Sequence, residues 1–482
     1  MKKISIQLFF AFTIISTVFS CTNDFEKANE DPNLITEINS GSVLNPVLYD
    51  LAENNVLKNY DITAQLMQVH IPYPSNAMGL HRYDVTTGTG NSTWNNAYTN
   101  LVNLEEMLKV SQKAGDVNYQ AIALTLRSLV ISNLTDMFGD VPFSQAAKAE
   151  EGITKPKFDT QQDIYKQLLN DLEKANQLYV TNLGLKYGTD ILFPSSEKNI
   201  NITRWKKFTN SLKMRLLLRI SNRDASALTE LKKIIDNPTT YPIFESESES
   251  AILQISGLAP SLSPWPRAQD YRDSRTFTTF FIDKKNETND PRLPILVNKA
   301  SDKNGSLGYK GIPAAYEGNS SDYNFTPSSP NNAIVVAPMK IPLMTYAEVE
   351  FIKAEMAQKG LGGDAKTHYD KAVKAAVQLW TNIEPTAEFM AQEKIKYNNT
   401  LERIIDQKYF ALFFTDYQQW FEYKRTGFPK LPTTSTMLND KKMPRRMLYP
   451  TSVRNYNPEG YQNALQQMGP DNINTRVWWD VN

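Results

Sequence analysis

Three histidines, one cysteine and a set of loop aromatics are the residues in this 482-residue sequence whose types could carry chemistry. His70 and His81 stand eleven apart across prolines, and His368 falls in a helical pattern. Zinc and iron–sulfur sites gather clustered His and Cys ligands, so no metal site is expected. The chain contains no H-E-x-x-H, G-x-S-x-G or P-loop pattern, and Gly88-Thr89-Gly90 lacks the further glycine of a dinucleotide-binding turn. No catalytic residue and no cofactor follow from it. A glycoside hydrolase needs only two carboxylates correctly spaced in the fold, and that reading stays open as an alternative. Two stretches do combine aromatic rings with charged or amide groups: Tyr73, His81, Arg82 and Tyr83 in 71–93, then Trp265, Arg267, Tyr271, Tyr316, Asn319 and Tyr323 in 257–345. Sugars suit such sets, because a pyranose offers an apolar C–H face to a ring and a rim of hydroxyls to planar polar groups. Three rings at about 0.5–1.5 kcal/mol each would give roughly millimolar affinity, so such a receptor must act through proximity to something else.

The balance of 52 basic and 52 acidic side chains argues against nucleic acid as a partner, since a phosphate backbone is met by a basic excess. Length alone suggests about three domains with room for a large core. Cys21, the lone cysteine, permits no internal disulfide. It follows Lys2, Lys3 and an apolar run over 8–19, the layout of a secretory signal peptide and shorter than the ~20 residues of a membrane span. Val18-Phe19-Ser20-Cys21 resembles a lipobox, with Phe19 bulkier than is usual there. The expectation is therefore a signal peptide over 1–20 and a lipidated tether over 21–40. More than one acyl chain, at about 0.8 kcal/mol per buried CH₂, would hold Cys21 on a membrane. No other apolar stretch is expected to span one. Asp24 and Glu26 resemble the export signal of surface lipoproteins in the Bacteroidota and equally suit a solvated leader. Without residues 1–20 the charges stand at 50 basic against 52 acidic.

The elements that must position these residues read as helices. Ile122, Leu126, Leu129, Val130 and Leu134 form an apolar face over 119–138, stopped by Gly139. Asp159 followed by Gln162 reads as an N-cap and capping box for a helix carrying Ile164, Leu168, Leu172, Ala175 and Leu178. Residues 204–222 read as an amphipathic helix with cations on its outer side. Residues 346–359 and 364–380, joined by Gly360, Gly362 and Gly363, read as an αα-hairpin of tetratricopeptide size. Residues 401–424 read as one last long helix whose close aromatics suit a core. Trp94, at the start of another helical pattern, serves either the core or a ligand. The segment 257–345 holds 10 of the 26 prolines, so its regular elements must be short. Long loops on a rigid scaffold are usual places for binding.

Several stretches together resemble the SusD/RagB family of outer-membrane nutrient-binding lipoproteins. They are Cys21 with DFEKANEDPN, WNNAYTNLVNLEEML, LTDMFGDVPFSQA with KPKFDTQQDIYKQLLNDLEKA, and RWKKFTNSLKMRLLLR. NDPRLP, MTYAEVEFIKAEMAQKGLGGDAKTHYDKAV, IIDQKYFALFFTDYQQWFEYKRTGFPKL, MPRRMLYP and the terminal RVWWD continue the match in family order. The resemblance implies an all-α, SusD-like scaffold of tetratricopeptide-like helix pairs with long irregular loops, as a single domain over 41–482. It implies a lipid-anchored protein on the outer face of the outer membrane that binds nutrient oligosaccharides. The implied partner is a SusC-like TonB-dependent transporter. Some members take peptides, and a purely structural transporter subunit is a further alternative. Ligand-binding residues vary in the family, and Trp94 sits where some members stack a sugar. The expected ligand-binding set is Tyr73, His81, Arg82, Tyr83, Trp94, Trp265, Tyr271, Tyr316 and Tyr323.

Overall fold

The apolar face read over 119–138 becomes a helix buried on nearly every side, with three other long helices packed against it. In the computed structural model residues 38–75, 79–259, 261–264 and 272–481 are described. Cys21 with its signal and tether, Trp265, Arg267 and Tyr271 lie outside the described residues. The chain divides into Met1–Asn39 and Ser40–Asn482, and every element below belongs to the second.

Helices α1 (Ser40–Lys58), α2 (Asn91–Ala114), α3 (Val117–Phe138), α4 (Gln161–Leu178), α5 (Lys198–Ile220) and α6 (Ser226–Asp236) follow one another. Each of α2 to α6 packs on the next, and α1 lies against α2. After α7 (Thr279–Asn286), α8 (Tyr346–Gln358) and α9 (Ala365–Thr381) form the expected hairpin across the glycine turn, with α10 (Leu401–Ala411) against both. Helices α11 (Gln418–Thr426), α12 (Thr451–Tyr456) and α13 (Pro458–Met468) complete an all-α scaffold of tetratricopeptide-like pairs. By length and composition α3 could cross a membrane, contrary to the expectation for the mature chain, but 94% of that window is buried inside the protein. Its neighbours α2, α4 and α5 cover it, so its hydropathy belongs to a core.

Three expectations are corrected. The N-cap of α4 is Thr160, whose Oγ1 accepts from Asp163 N at 3.2 Å and donates to Asp163 Oδ2 at 2.8 Å. Asp159 instead accepts from Phe143 N and Ser144 N, at 3.0 and 2.7 Å, fixing the turn after Pro142. On α5 Arg204 and Lys206 are partly exposed, but the other four cations over 204–222 do not face solvent: Lys207, Lys213, Arg215 and Arg219 are 7, 6, 3 and 1% exposed. Each meets a carboxylate from a neighbouring segment, Lys213 meeting Glu173 of α4, Arg215 meeting Glu348 of α8 and Arg219 meeting Asp136 of α3. The last helix is two, because the backbone breaks at Phe414 and Asp416, with φ of 62° and 31°. Asp416 is held in that break by Asn133 Nδ2 and Gln418 Nε2, at 3.0 and 2.8 Å. Seven of the aromatics there are buried, while Tyr423 is partly exposed.

The proline-rich segment contains short elements only. Strand β1 (His70–Pro72) pairs antiparallel with β3 (Arg275–Phe277), after β2 (Ala251–Ile255), which pairs with β6 (Met339–Met344). Between them β4 (Ala300–Asp302) and β5 (Gly305–Gly308) form a hairpin. The β1–β3 register sets His70 opposite Phe277 and Pro72 opposite Arg275. It thereby brings the 71–93 loop to the 272–345 loops.

Candidate ligand-binding site

Tyr73 leaves β1 just past its pairing, and its ring meets that of Tyr316 at 5.5 Å between centroids. Tyr316 in turn meets Tyr323 at 6.0 Å, and Tyr323 meets Phe325 edge-on at 5.8 Å. Beneath them Ile71, Ile312 and Tyr316 form a small separate core against which Tyr73, Tyr323 and Phe325 pack. Tyr316 is 5% exposed and its hydroxyl donates to Pro74 O at 2.9 Å, so it is the floor. Tyr73, Tyr323 and Phe325 are partly exposed and offer ring surface to solvent. Burial raises the Tyr73 and Tyr323 phenols above their usual range, which keeps both neutral at physiological pH and able to donate. Lys310 places its ammonium 4.0 Å from the Phe325 ring centroid and braces that end.

The loop carrying Tyr316 is held close to β3 by a glycine. A Cβ on Gly311 would fall 2.5 Å from the carbonyl carbon of Thr278, closer than side chains approach backbone. Thr279 N donates to Ile312 O at 2.9 Å, and Thr278 pairs with Ile312 in a parallel bridge. The rest of the loop is fastened by Thr436, whose Oγ1 donates to Ala315 O at 2.8 Å and whose carbonyl accepts from Arg82 Nε at 3.1 Å. Arg82 also meets Glu317 at 3.2 Å, an exposed ion pair on the next turn of chain. Next to this seam, Gln68, Phe280, Lys284, Pro313, Ala314 and Pro432 line a cavity of about 360 Å³.

The structure therefore brings Tyr73, Tyr316 and Tyr323 together and seats Arg82 on the same loop system, while it buries His81, Tyr83 and Trp94 and leaves Asn319 exposed. His81 is 0% exposed, and burial beside Arg82 and Arg275 lowers its pKa to about 3. Tyr83 is 3% exposed with φ of 68°, and burial pushes its hydroxyl up to about 12. Trp94 is 8% exposed and edge-on to Phe138 and Tyr449, at 5.2 and 5.9 Å, and so belongs to the main core. Asn319 serves its own turn, accepting from Ser321 N and donating to Asp322 Oδ1. His70 lies between the Tyr60 and Phe277 rings, and His368 Nδ1 is 2.7 Å from Glu350 Oε2. Among the described residues no three His, Cys, Asp or Glu side chains come together as metal ligands. Phe325 and Glu317 escaped the sequence reading. Phe325 stands two residues beyond Tyr323, the spacing that puts neighbours on one side of an extended segment, and that was its signal.

A family model, SusD-like, described as starch-binding and associating with the outer membrane, matches residues 32–450. No match was found among curated proteins. Among solved structures, a chitin-binding SusD homolog from Flavobacterium johnsoniae superposes with a TM-score of 0.77 at 22% identity, over 91% of this chain and 99% of that one. A SusD homolog from Bacteroides fragilis gives 0.76 at 23% identity over 92% and 100%. One from Bacteroides vulgatus gives 0.72 at 25% over 89% and 92%. Matched over most of its length, and folded as these proteins are, the chain belongs to the SusD-like family.

Proposed function

We propose that the protein is a non-catalytic receptor for nutrient oligosaccharides at the cell surface. It hands its ligand to a SusC-like TonB-dependent transporter. The observation that carries the reading is the loop shelf of Tyr73, Tyr316, Tyr323 and Phe325. Partly exposed rings suit the C–H faces of sugar rings, and the Arg82–Glu317 pair supplies planar polar groups on the same loops. The family's description as starch-binding and outer-membrane-associated supports it, as does the chitin-binding homolog of the same fold. In this reading residues 1–20 are a signal peptide, Cys21 carries the lipid, 21–40 is the tether and 41–482 is one binding domain on the outer face of the outer membrane. Trp265 and Tyr271 remain proposed contributors to the same loop face.

Calorimetric titration of the purified chain against chito-oligosaccharides, malto-oligosaccharides and short peptides tests it. Saturable oligosaccharide binding without reducing-sugar release is expected. Peptide binding alone, or release that vanishes on replacing one carboxylate, would overturn it.

A further inference from the structure

The β2–β6 ribbon and the C-terminal end of α9 line a second pocket, about 280 Å³ in volume, which the glycan reading does not use. Residues 245–250 run Glu-Ser-Glu-Ser-Glu-Ser. Glu245 and Glu249 both reach the Lys207 ammonium of α5, at 2.5 and 2.7 Å. Glu247, between them, lines the pocket, and among the described residues its carboxylate takes no hydrogen bond and no ion pair. Burial pushes that carboxyl up to about 7, a sign that the fold offers its charge little compensation. Lys340 of β6 lines the same pocket. Its Nζ donates to Leu379 O at 2.7 Å and Asn382 Oδ1 at 3.0 Å, leaving one of an ammonium's three protons for a ligand. No ion pair joins Glu247 to Lys340 among the described residues. Opposite charges thus line one pocket without a direct ion pair between them.

The remaining walls narrow the ligand class. Ser250 Oγ accepts from Tyr346 N at 2.8 Å and Thr345 Oγ1 from Glu348 N at 3.2 Å, so both hydroxyl protons stay free to donate. Ile252, Ala347, Ala375 and Leu379 supply apolar wall. None of the lining residues is aromatic, which removes the stacking surface a sugar ring exploits. The volume lies just below the usual range for drug-sized ligands, about 300–1,000 Å³. A ligand complementary to these walls is small, carries one charge of each sign and has a short aliphatic part.

We propose that this pocket binds a small zwitterion, a free α-amino acid with an aliphatic side chain, its ammonium on Glu247 and its carboxylate on Lys340. The inference is independent of the glycan reading, since none of the loop rings lines the pocket. The charged groups around Glu247 are Lys340, Glu384 beyond α9 with Lys374 3.6 Å from it, the Glu245–Lys207–Glu249 set, and Tyr346 and Glu350 of α8. Of these, Lys340 favours the ionised carboxylate and Glu384 opposes it.

The test is calorimetry of the full-length chain in detergent with L-leucine as probe, at about pH 8, where Glu247 is ionised. Saturable binding is expected, at least about tenfold weaker for N-acetyl-L-leucine, which lacks the ammonium, and for 3-methylbutylamine, which lacks the carboxylate and keeps its ammonium at this pH. Glu247→Gln and Lys340→Met should each weaken L-leucine by a similar factor while keeping the parent's thermal transition. Two variants on different elements, Glu247 in the turn before β2 and Lys340 on β6, guard against one of them misfolding. Lowering the pH through about 7 should weaken binding in the parent and leave Glu247→Gln flat. No saturable heat with L-leucine overturns the proposal, as does binding that Glu247→Gln leaves unchanged or equal binding of the N-acetyl derivative.

Discussion

Trp94 and Tyr323 are both aromatic candidates, and what surrounds each ring decides its part. Trp94 is flanked by Tyr98, Phe138, Phe158 and Tyr449, whereas Tyr323 has neighbours on one side and solvent on the other. Trp94→Ala should therefore cost about 3–5 kcal/mol of stability, the range for emptying a core aromatic site. Tyr323→Ala should leave the denaturation midpoint nearly in place and weaken oligosaccharide binding by about 2- to 10-fold, the worth of one stacked ring. Urea denaturation and calorimetry on both variants separate the two roles, and a reversed pattern would reassign them. Asp140 gives a residue-level test of electrostatics. Its Oδ1 accepts from Gln161 N at 2.8 Å, but burial, with Asp159 and Asp163 nearby, raises its pKa from 3.8 to about 6. The folded state thus holds the proton more tightly than the unfolded chain. The associated stabilisation is complete below about pH 4 and is lost as pH rises through about 6. Asp140→Asn keeps an acceptor oxygen for Gln161 and has no charge to desolvate. It should be more stable than the parent by about 1–3 kcal/mol near pH 8, with the gain fading toward pH 4, as read by urea denaturation at each pH. Spacing could mark these residues as candidates, but not their exposure. His81 and Tyr83 flank Arg82 in sequence, and a single turn of chain buries both and leaves Arg82 at the rim.

At the scale of elements, what sequence periodicity revealed was the helices α3 and α4 themselves and the hairpin of α8 with α9 across its glycine turn. Periodicity failed where burial is two-sided or polar. The cations of α5 look like a solvated face until the carboxylates of α3, α4 and α8 are brought opposite them, and those partners lie 40 to 133 residues away. The break between α10 and α11 depends likewise on Asn133, 283 residues from Asp416. The loop elements are tied by close backbone approaches that leave little pattern in the chain. Gly311 is the clearest, since a methyl group there must displace the Tyr316 loop from Thr278. Gly311→Ala is expected to destabilise by about 1–3 kcal/mol, the cost of forcing extra atoms into a packed site. It should weaken oligosaccharide binding more than Tyr323→Ala, because the whole shelf moves and not one ring. Equal binding by Gly311→Ala and parent would mean that the shelf does not set the affinity.

For the whole molecule, affinity and anchoring have to be considered together. If a few exposed rings on the proposed shelf each stack on a sugar, the binding would be roughly millimolar, too weak for capture from dilute solution. Tethering changes the requirement, because a receptor held beside a transporter works at the effective concentration set by its tether. From Cys21 to Ser40 the chain can extend at most about 65 Å, so a lipid on Cys21, as proposed, would keep the folded part within a molecular diameter or two of the membrane. The near-neutral charge fits the same scheme, since an uncharged glycan needs no electrostatic steering. If this is how the protein works, binding and delivery are separable, and Cys21→Ala is the change that separates them. The variant should bind oligosaccharides in solution as the parent does, because the shelf is untouched. It should lose incorporation of a labelled fatty acid and leave the membrane fraction. Oligosaccharide uptake by cells should then fall toward the level of cells lacking the protein, more steeply at low glycan concentration than at saturating concentration. Uptake and fractionation identical to the parent would show that neither the lipid nor proximity matters, and weak binding at the shelf would then have no route to function.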